Sequence, residues 1–198
     1  MLSVLNGIKI LQVLNTTIGA VHQKSGESAF RVFDVQRDLM ASCPGKKHLH
    51  IGLGAGVSAN GTNHDVLEKY QSVMDLAVSE FGFNTLGNIY IQDALKFETH
   101  VRYDCVLLDV HPSDGIPMLS NVNNHTTDDA WLFMNIFEDE PSALHRVYIG
   151  LKQFFPYISV FSETRDTGNN HIFFASKKFI GSVRLKDYQM RHHAGTHW

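Results

Sequence analysis

Residues 48–56, His-Leu-His-Ile-Gly-Leu-Gly-Ala-Gly, place the strongest limit on what this chain folds into. A short run ends in glycines 52, 54 and 56, which reads as a buried strand breaking into a tight turn free of side chains. Glycine is needed where a ligand, or the backbone of another element, comes closer than a Cβ permits. In open α/β sheets that place, just past the carboxyl end of a strand, is where ligands bind. The dinucleotide fingerprint requires a further glycine where Val57 stands, so a nicotinamide or flavin site is disfavoured.

What surrounds the turn alternates between strand and helix patterns. Gly7–Leu14 partly alternates and reads as a strand, Asn15–Gly19 as a turn, and Ala20–Gln23 as a returning partner. Glu27–Met40 spaces Phe30, Phe33, Val35 and Leu39 as a helix does. Pro44-Gly45-Lys46-Lys47 is a loop before the central strand. Asp65–Glu68, Asn88–Asp93, Tyr103–Asp109 and Ala130–Asn135 follow as strands, with Gln71–Phe81 and Pro141–Phe155 as helices. Tyr157–Ser162 and His171–Ser176 form a closing antiparallel pair. The fold class expected is α/β: a Rossmann-like, mostly parallel sheet with an antiparallel C-terminal strand pair and a short N-terminal β-hairpin. The division expected is 1–26 for the hairpin segment, 27–185 for the sheet domain and 186–198 for a flexible tail.

Composition excludes several partners. The 198 residues suit one α/β domain, 43% of them are hydrophobic, and the net charge of −3 leaves no basic stripe for nucleic acid. The apolar N-terminus is broken by Asn6, Gly7 and Lys9, too short for a membrane span. Cys43 and Cys105, the only cysteines, form no disulfide framework, so a reducing compartment, the cytoplasm, is expected. His192, His193 and His197 have no carboxylate or thiolate at matching spacing; they read as polar tail, and no metal is expected.

Three carboxylates end three successive strands: Glu68, Asp93 and Asp109. With those strands beside the glycine strand, all three reach one crevice. The first suits both ribose hydroxyls of an adenosine, the second an adenine amino group, and the third the reacting end of a ligand, where a cation needs a partner. A solvated cap is the bland account of any one of them. The ordered set behind Gly-x-Gly-x-Gly favours a site.

The combination His-Ile-Gly-Leu-Gly-Ala-Gly, Val-Leu-Glu-Lys-Tyr-Gln-Ser-Val-Met-Asp-Leu-Ala, Asp93-Ala94 and Tyr-Asp-Cys-Val-Leu-Leu-Asp-Val-His-Pro-Ser-Asp-Gly-Ile-Pro resembles the spermidine synthase-like branch of the class I S-adenosylmethionine-dependent transferases. Leu-Lys-Gln-Phe-Phe-Pro-Tyr-Ile-Ser-Val-Phe and Asn-Asn-His-Ile-Phe-Phe-Ala-Ser continue it, so that it runs from about residue 20 to 178. The resemblance implies a sheet of seven strands. It implies S-adenosylmethionine or its decarboxylated form, as co-substrate, over Gly52, Gly54 and Gly56. Glu68 would hold the ribose, Asp93 with Ala94 the adenine, and Asp109 the reacting end; Gln23 would touch a polyamine. The acceptor expected is a small nucleophile, a polyamine or another methyl acceptor, and homodimers fit the family.

Departures from the pattern matter equally. The family's proton-accepting acid three residues after Asp109 is Pro112 here, leaving Asp114 or His111 as candidate base, and Tyr70 replaces another family acid. Too few residues follow the glycines for the family's next helix, and Pro117–Trp131 is brief for a helical crossover. Two functions follow: an alkyl or methyl transferase, or a catalytically silent relative that binds or regulates.

Overall fold

The computed structural model describes residues 1–13, 16–110, 112–137, 140–163, 170–181 and 188–192. Three strands open the chain: β1 (Leu2–Leu5), β2 (Ile8–Val13) and β3 (Thr16–His22), an antiparallel sheet in that order. The β1–β2 turn is Asn6-Gly7, both with positive φ (51° and 77°), the two-residue hairpin geometry that matches strand twist. The expected hairpin is thus present, with one strand more. Helix α1 (Arg31–Ser42) starts four residues later than its periodicity predicts. Ala29 still donates its N–H to the Ala20 carbonyl, and the Ser28 hydroxyl bonds the Phe30 backbone, so this stretch belongs to the sheet edge.

The main sheet follows, with β4 (His48–Ile51), β5 (Asp65–Glu68), helix α2 (Gln71–Phe81), β6 (Ile89–Ile91), a 3₁₀ turn at Ala94–Lys96, and β7 (Tyr103–Leu108). Helix α3 (Pro112–Asn124), β8 (Thr126–Phe137), helix α4 (Pro141–Lys152), β9 (Tyr157–Glu163), β10 (Asn170–Ser176) and β11 (Tyr188–His192) complete it. The order is β11-β9-β10-β8-β7-β4-β5-β6. β6, β5, β4, β7 and β8 run parallel, whereas β10 and β9 are antiparallel to their neighbours. These are the seven strands expected; β11, inside the stretch expected as tail, adds an antiparallel edge to β9. His193 and His197 lie outside the described residues.

One expectation is overturned. The crossover before β8 is not short: α3 begins at Pro112, and Pro117 lies inside it. A proline this near the N-terminus forfeits one main-chain bond. Met118, Leu119 and Val122 are buried in return, and Gly150 of α4 admits Ile116 and Leu119 at 3.3 Å from where a Cβ would stand. The other shortened crossover is real. Between β4 and β5 the chain makes turns and no helix.

The two faces of the sheet are covered unequally. α3, α4 and the 3₁₀ turn bury one face through Leu49, Leu108, Leu132, Phe155 and Phe173. α1 and α2 cover the other in two separate clusters, around Leu39, Leu107 and Phe161 and around Val66, Met74 and Ala77. Between those clusters β4 places His48 and His50, and the loop before β5 adds His64, whose ring lies 4.9 Å from that of His48. Cys43 and Cys105 are free and buried.

Tyr103 anchors the far end of the sheet. Fully buried, it donates its hydroxyl to Asp65 Oδ2 (2.9 Å), while Asp65 Oδ1 takes the Asn88 backbone N–H. Burial and the Asp65 contact push the tyrosine pKa up. Tyr103→Phe leaves a buried carboxylate oxygen without its donor and is expected to cost about 1–3 kcal/mol, read as a lower urea midpoint.

Candidate donor site at the carboxyl ends of the parallel strands

The glycine turn leaves β4 with Gly52 donating its N–H to the Leu67 carbonyl, which ties the turn to β5 (2.9 Å). Gly54 has φ +57°, and a Cβ there would lie 2.0 Å from the Ile18 carbonyl oxygen of β3. Ile18 also accepts the Ala55 N–H at 3.3 Å. Cβ positions at Gly52 and Gly56 fall 2.3 Å from the Asp109 carbonyl oxygen and 2.5 Å from the Phe83 ring. All three glycines are therefore explained by the chain's own close packing, before any ligand is considered.

The acids stand where parallel strands place them. Glu68 ends β5, Asp109 directly follows β7 and Asp93 lies two residues past β6, all at the carboxyl ends of the parallel strands. Glu68 is buried; Oε2 accepts the Leu53 N–H and Oε1 the Tyr70 N–H, each at 2.9 Å. Asp93 caps the 3₁₀ turn through the Leu95 N–H (3.0 Å) and pairs with Lys69 (3.1 Å). The Leu95 amide and then Lys69 hold its carboxyl below the usual range. Ala94 is buried beneath it.

Asp109 is enclosed. Its two oxygens accept Gln36 Nε2 (3.0 Å) from α1 and Asn135 Nδ2 (3.1 Å) from β8. Burial raises its pKa, and those two bonds hold the rise back. Among the described residues the Gln36 and Asn135 amide oxygens are themselves buried without a hydrogen-bond partner. Gln36 and Asn135 are the residues that sequence reasoning missed. Each leaves a trace there, a lone amide on the buried face of a helix and inside an apolar strand.

The remaining expected residues divide. Asp114 falls in the first turn of α3, and His111 lies outside the described residues. Gln23, just past β3, is exposed and gives its backbone N–H to the Gly7 carbonyl; it is bonded to none of the three acids. A cleft of about 380 Å³ lies beside Ala55 and Val57, walled by Glu27, Asp34 and Arg37; none of the three acids lines it. Among the described residues no cluster fits a metal ion, and no helix is long and apolar enough to cross a membrane.

A glycine turn on the central strand, acids on the next strands and a reversed last pair make a Rossmann-like fold, and solved methyltransferases and a probable spermidine synthase share that fold. A probable spermidine synthase from Corynebacterium glutamicum superposes with a TM-score of 0.70 at 14% identity, over 94% of this chain and 79% of that one. The N-methyltransferase NodS from Bradyrhizobium japonicum, with S-adenosylhomocysteine, gives 0.57 at 13% identity over 74% and 84%. Human methyltransferase-like protein 13, also with that product bound, gives 0.55 at 20% over 73% and 80%. No protein-family profile and no curated protein sequence matches the chain.

Proposed function

We propose that this chain is an S-adenosylmethionine-dependent transferase that moves a methyl or aminopropyl group to a small nucleophile, a polyamine being one candidate. The observation that carries the reading is that Glu68, Asp93 and Asp109 stand at or just past the carboxyl ends of β5, β6 and β7, the strands around the one that ends in the Gly52–Gly56 turn. Glu68 would exchange main-chain donors for ribose hydroxyls, and Asp93 with the Ala94–Leu95 backbone would meet the adenine. Asp109, kept oriented by Gln36 and Asn135, would face the cationic reacting end. Transfer from a sulfonium is an in-line displacement, and most of its catalysis would come from positioning. Asp114 and His111 are the candidate bases. Free cysteines agree with the cytoplasm as its compartment.

A second reading has its own support. Both Glu68 oxygens and both Asp109 oxygens are already taken by donors of this chain, and Pro112 stands in place of the family's second acid. A silent relative that binds or regulates would keep the fold in this state. Calorimetry with S-adenosylmethionine and its decarboxylated form separates the two. The transferase reading expects submillimolar binding, weakened at least about tenfold by Glu68→Ala, a loss of roughly 1.4 kcal/mol. No heat at millimolar ligand, and no transfer of tritium from labelled donor to putrescine, spermidine or protein extract, would leave the silent relative.

A further inference from the structure

Among the described residues β6 ends the sheet, with its outer edge open. Asn88 and Gln92 direct their backbone groups to β5, through the Val66 N–H to Asn88 carbonyl bond and the Gln92 N–H to Glu68 carbonyl bond. By strand alternation Tyr90 does the same, so the N–H and C=O of Ile89 and Ile91 point to the open side. Proteins ordinarily blunt such an edge with lysine, proline or a bulge. Here the stretch Leu86-Gly-Asn-Ile-Tyr-Ile-Gln92 has no charge and no proline.

The apolar side chains along this edge are solvated. Leu86 is 85% exposed, Ile89 46%, Ile91 39% and Leu95 49%, while Tyr90 turns to the other face and meets Phe97 edge-on at 5.1 Å. The pattern is also close to a palindrome about Tyr90. A two-fold axis there would set Ile89 against Ile91 of a second copy, Asn88 against Gln92, Leu86 against Ala94 beside Leu95, and Asp93 against Gly87. No like charges meet within that pairing.

We infer that the β6 edge is a homodimer surface, on which a second copy of this chain adds its own β6 antiparallel, with Ile89 opposite Ile91 and Tyr90 opposite itself. Ile89 and Ile91 then form two hydrogen-bonded pairs, four main-chain bonds in all, and the two sheets become one. The four exposed side chains offer on the order of 400 Å² per copy, which with the strand edges puts the pair near the low end of specific interfaces. A micromolar dimer is the expected strength. The inference does not rest on the transferase reading, and its test needs no donor, although Asp93, Ala94 and Leu95, the adenine end of that reading, lie at the margin of the pairing.

Sedimentation of the full chain between about 1 and 200 µM tests it. The expected result is a concentration-dependent dimer that Ile91→Lys weakens at least about tenfold, with unchanged circular dichroism. Tyr90 and its symmetry mate would form a non-hydrogen-bonded pair with Cα atoms about 4.5 Å apart, within disulfide reach. Tyr90→Cys should therefore cross-link to itself on mild oxidation. A monomer at 200 µM, or a dimer that Ile91→Lys leaves intact, overturns the inference.

Discussion

Gly54→Ala is expected to lower the stability of the fold by at least about 3 kcal/mol. Two costs combine. At φ +57° an L-residue loses about 1–2 kcal/mol to left-handed backbone strain. The added Cβ would also lie 2.0 Å from the Ile18 carbonyl oxygen, and that atom is main chain of β3, so relief requires moving a strand. Gly61→Ala is the matched control. It has φ +71° and nothing within 4 Å of its Cβ position, so only the strain applies, at about 1–2 kcal/mol. Urea unfolding of the two variants should separate them; equal midpoints would mean that β3 does not press on the turn.

Acid should unfold this protein at a pH where most carboxylates are still ionised. Burial, and then the neighbouring His64, lower the His50 pKa to about 3; burial, and then His48, lower that of His64 to about 4. His48 is lowered too, against the pull of Gly45 and Asp104. His50 is fully enclosed, with Nε2 at 3.4 Å from the Ser58 hydroxyl and, among the described residues, no partner for Nδ1. The unfolded chain binds protons at these groups from about pH 6.5 downward, and the folded chain does not. Stability is therefore full above pH 6.5 and falls as pH drops toward the folded values. At pH 5 each of His50 and His64 removes about 2 kcal/mol, at 1.36 kcal/mol per pH unit. Asp109, with its raised pKa, works in the opposite direction, one group against three. Urea midpoints at pH 7.5 and 5.0 check this, and His50→Leu should remove close to half of the difference. A flat profile between those pH values would show that the histidines reach solvent.

The sheet was legible because its signals are local. Gln71–Phe81 was read to the residue, since Val73 and Ala77 repeat at helical spacing and Gly82, with φ +65°, closes the helix in the left-handed region. α3 was hidden by Pro117 and by a polar sequence whose few apolar residues pack into the core with α4, the 3₁₀ turn and the sheet. The acids could be placed because a parallel strand's end is predictable from its apolar run. What surrounds them was not. Gln36 lies 73 residues from Asp109 and Asn135 lies 26 away, and no periodicity links an amide to a carboxylate across such separations. The cover that Ile18 puts over Gly54 depends on how the N-terminal sheet docks, which no local pattern encodes.

We propose that a nucleoside binds beside Leu53, Glu68, Asp93 and Asp109. The most direct test records ¹H–¹⁵N correlation spectra as S-adenosylmethionine is titrated to several millimolar. The account predicts saturable shifts at the Leu53 and Tyr70 amides, which Glu68 now holds, and at the Ala94 and Leu95 amides beside Asp93. Those four signals standing still throughout the titration would contradict it.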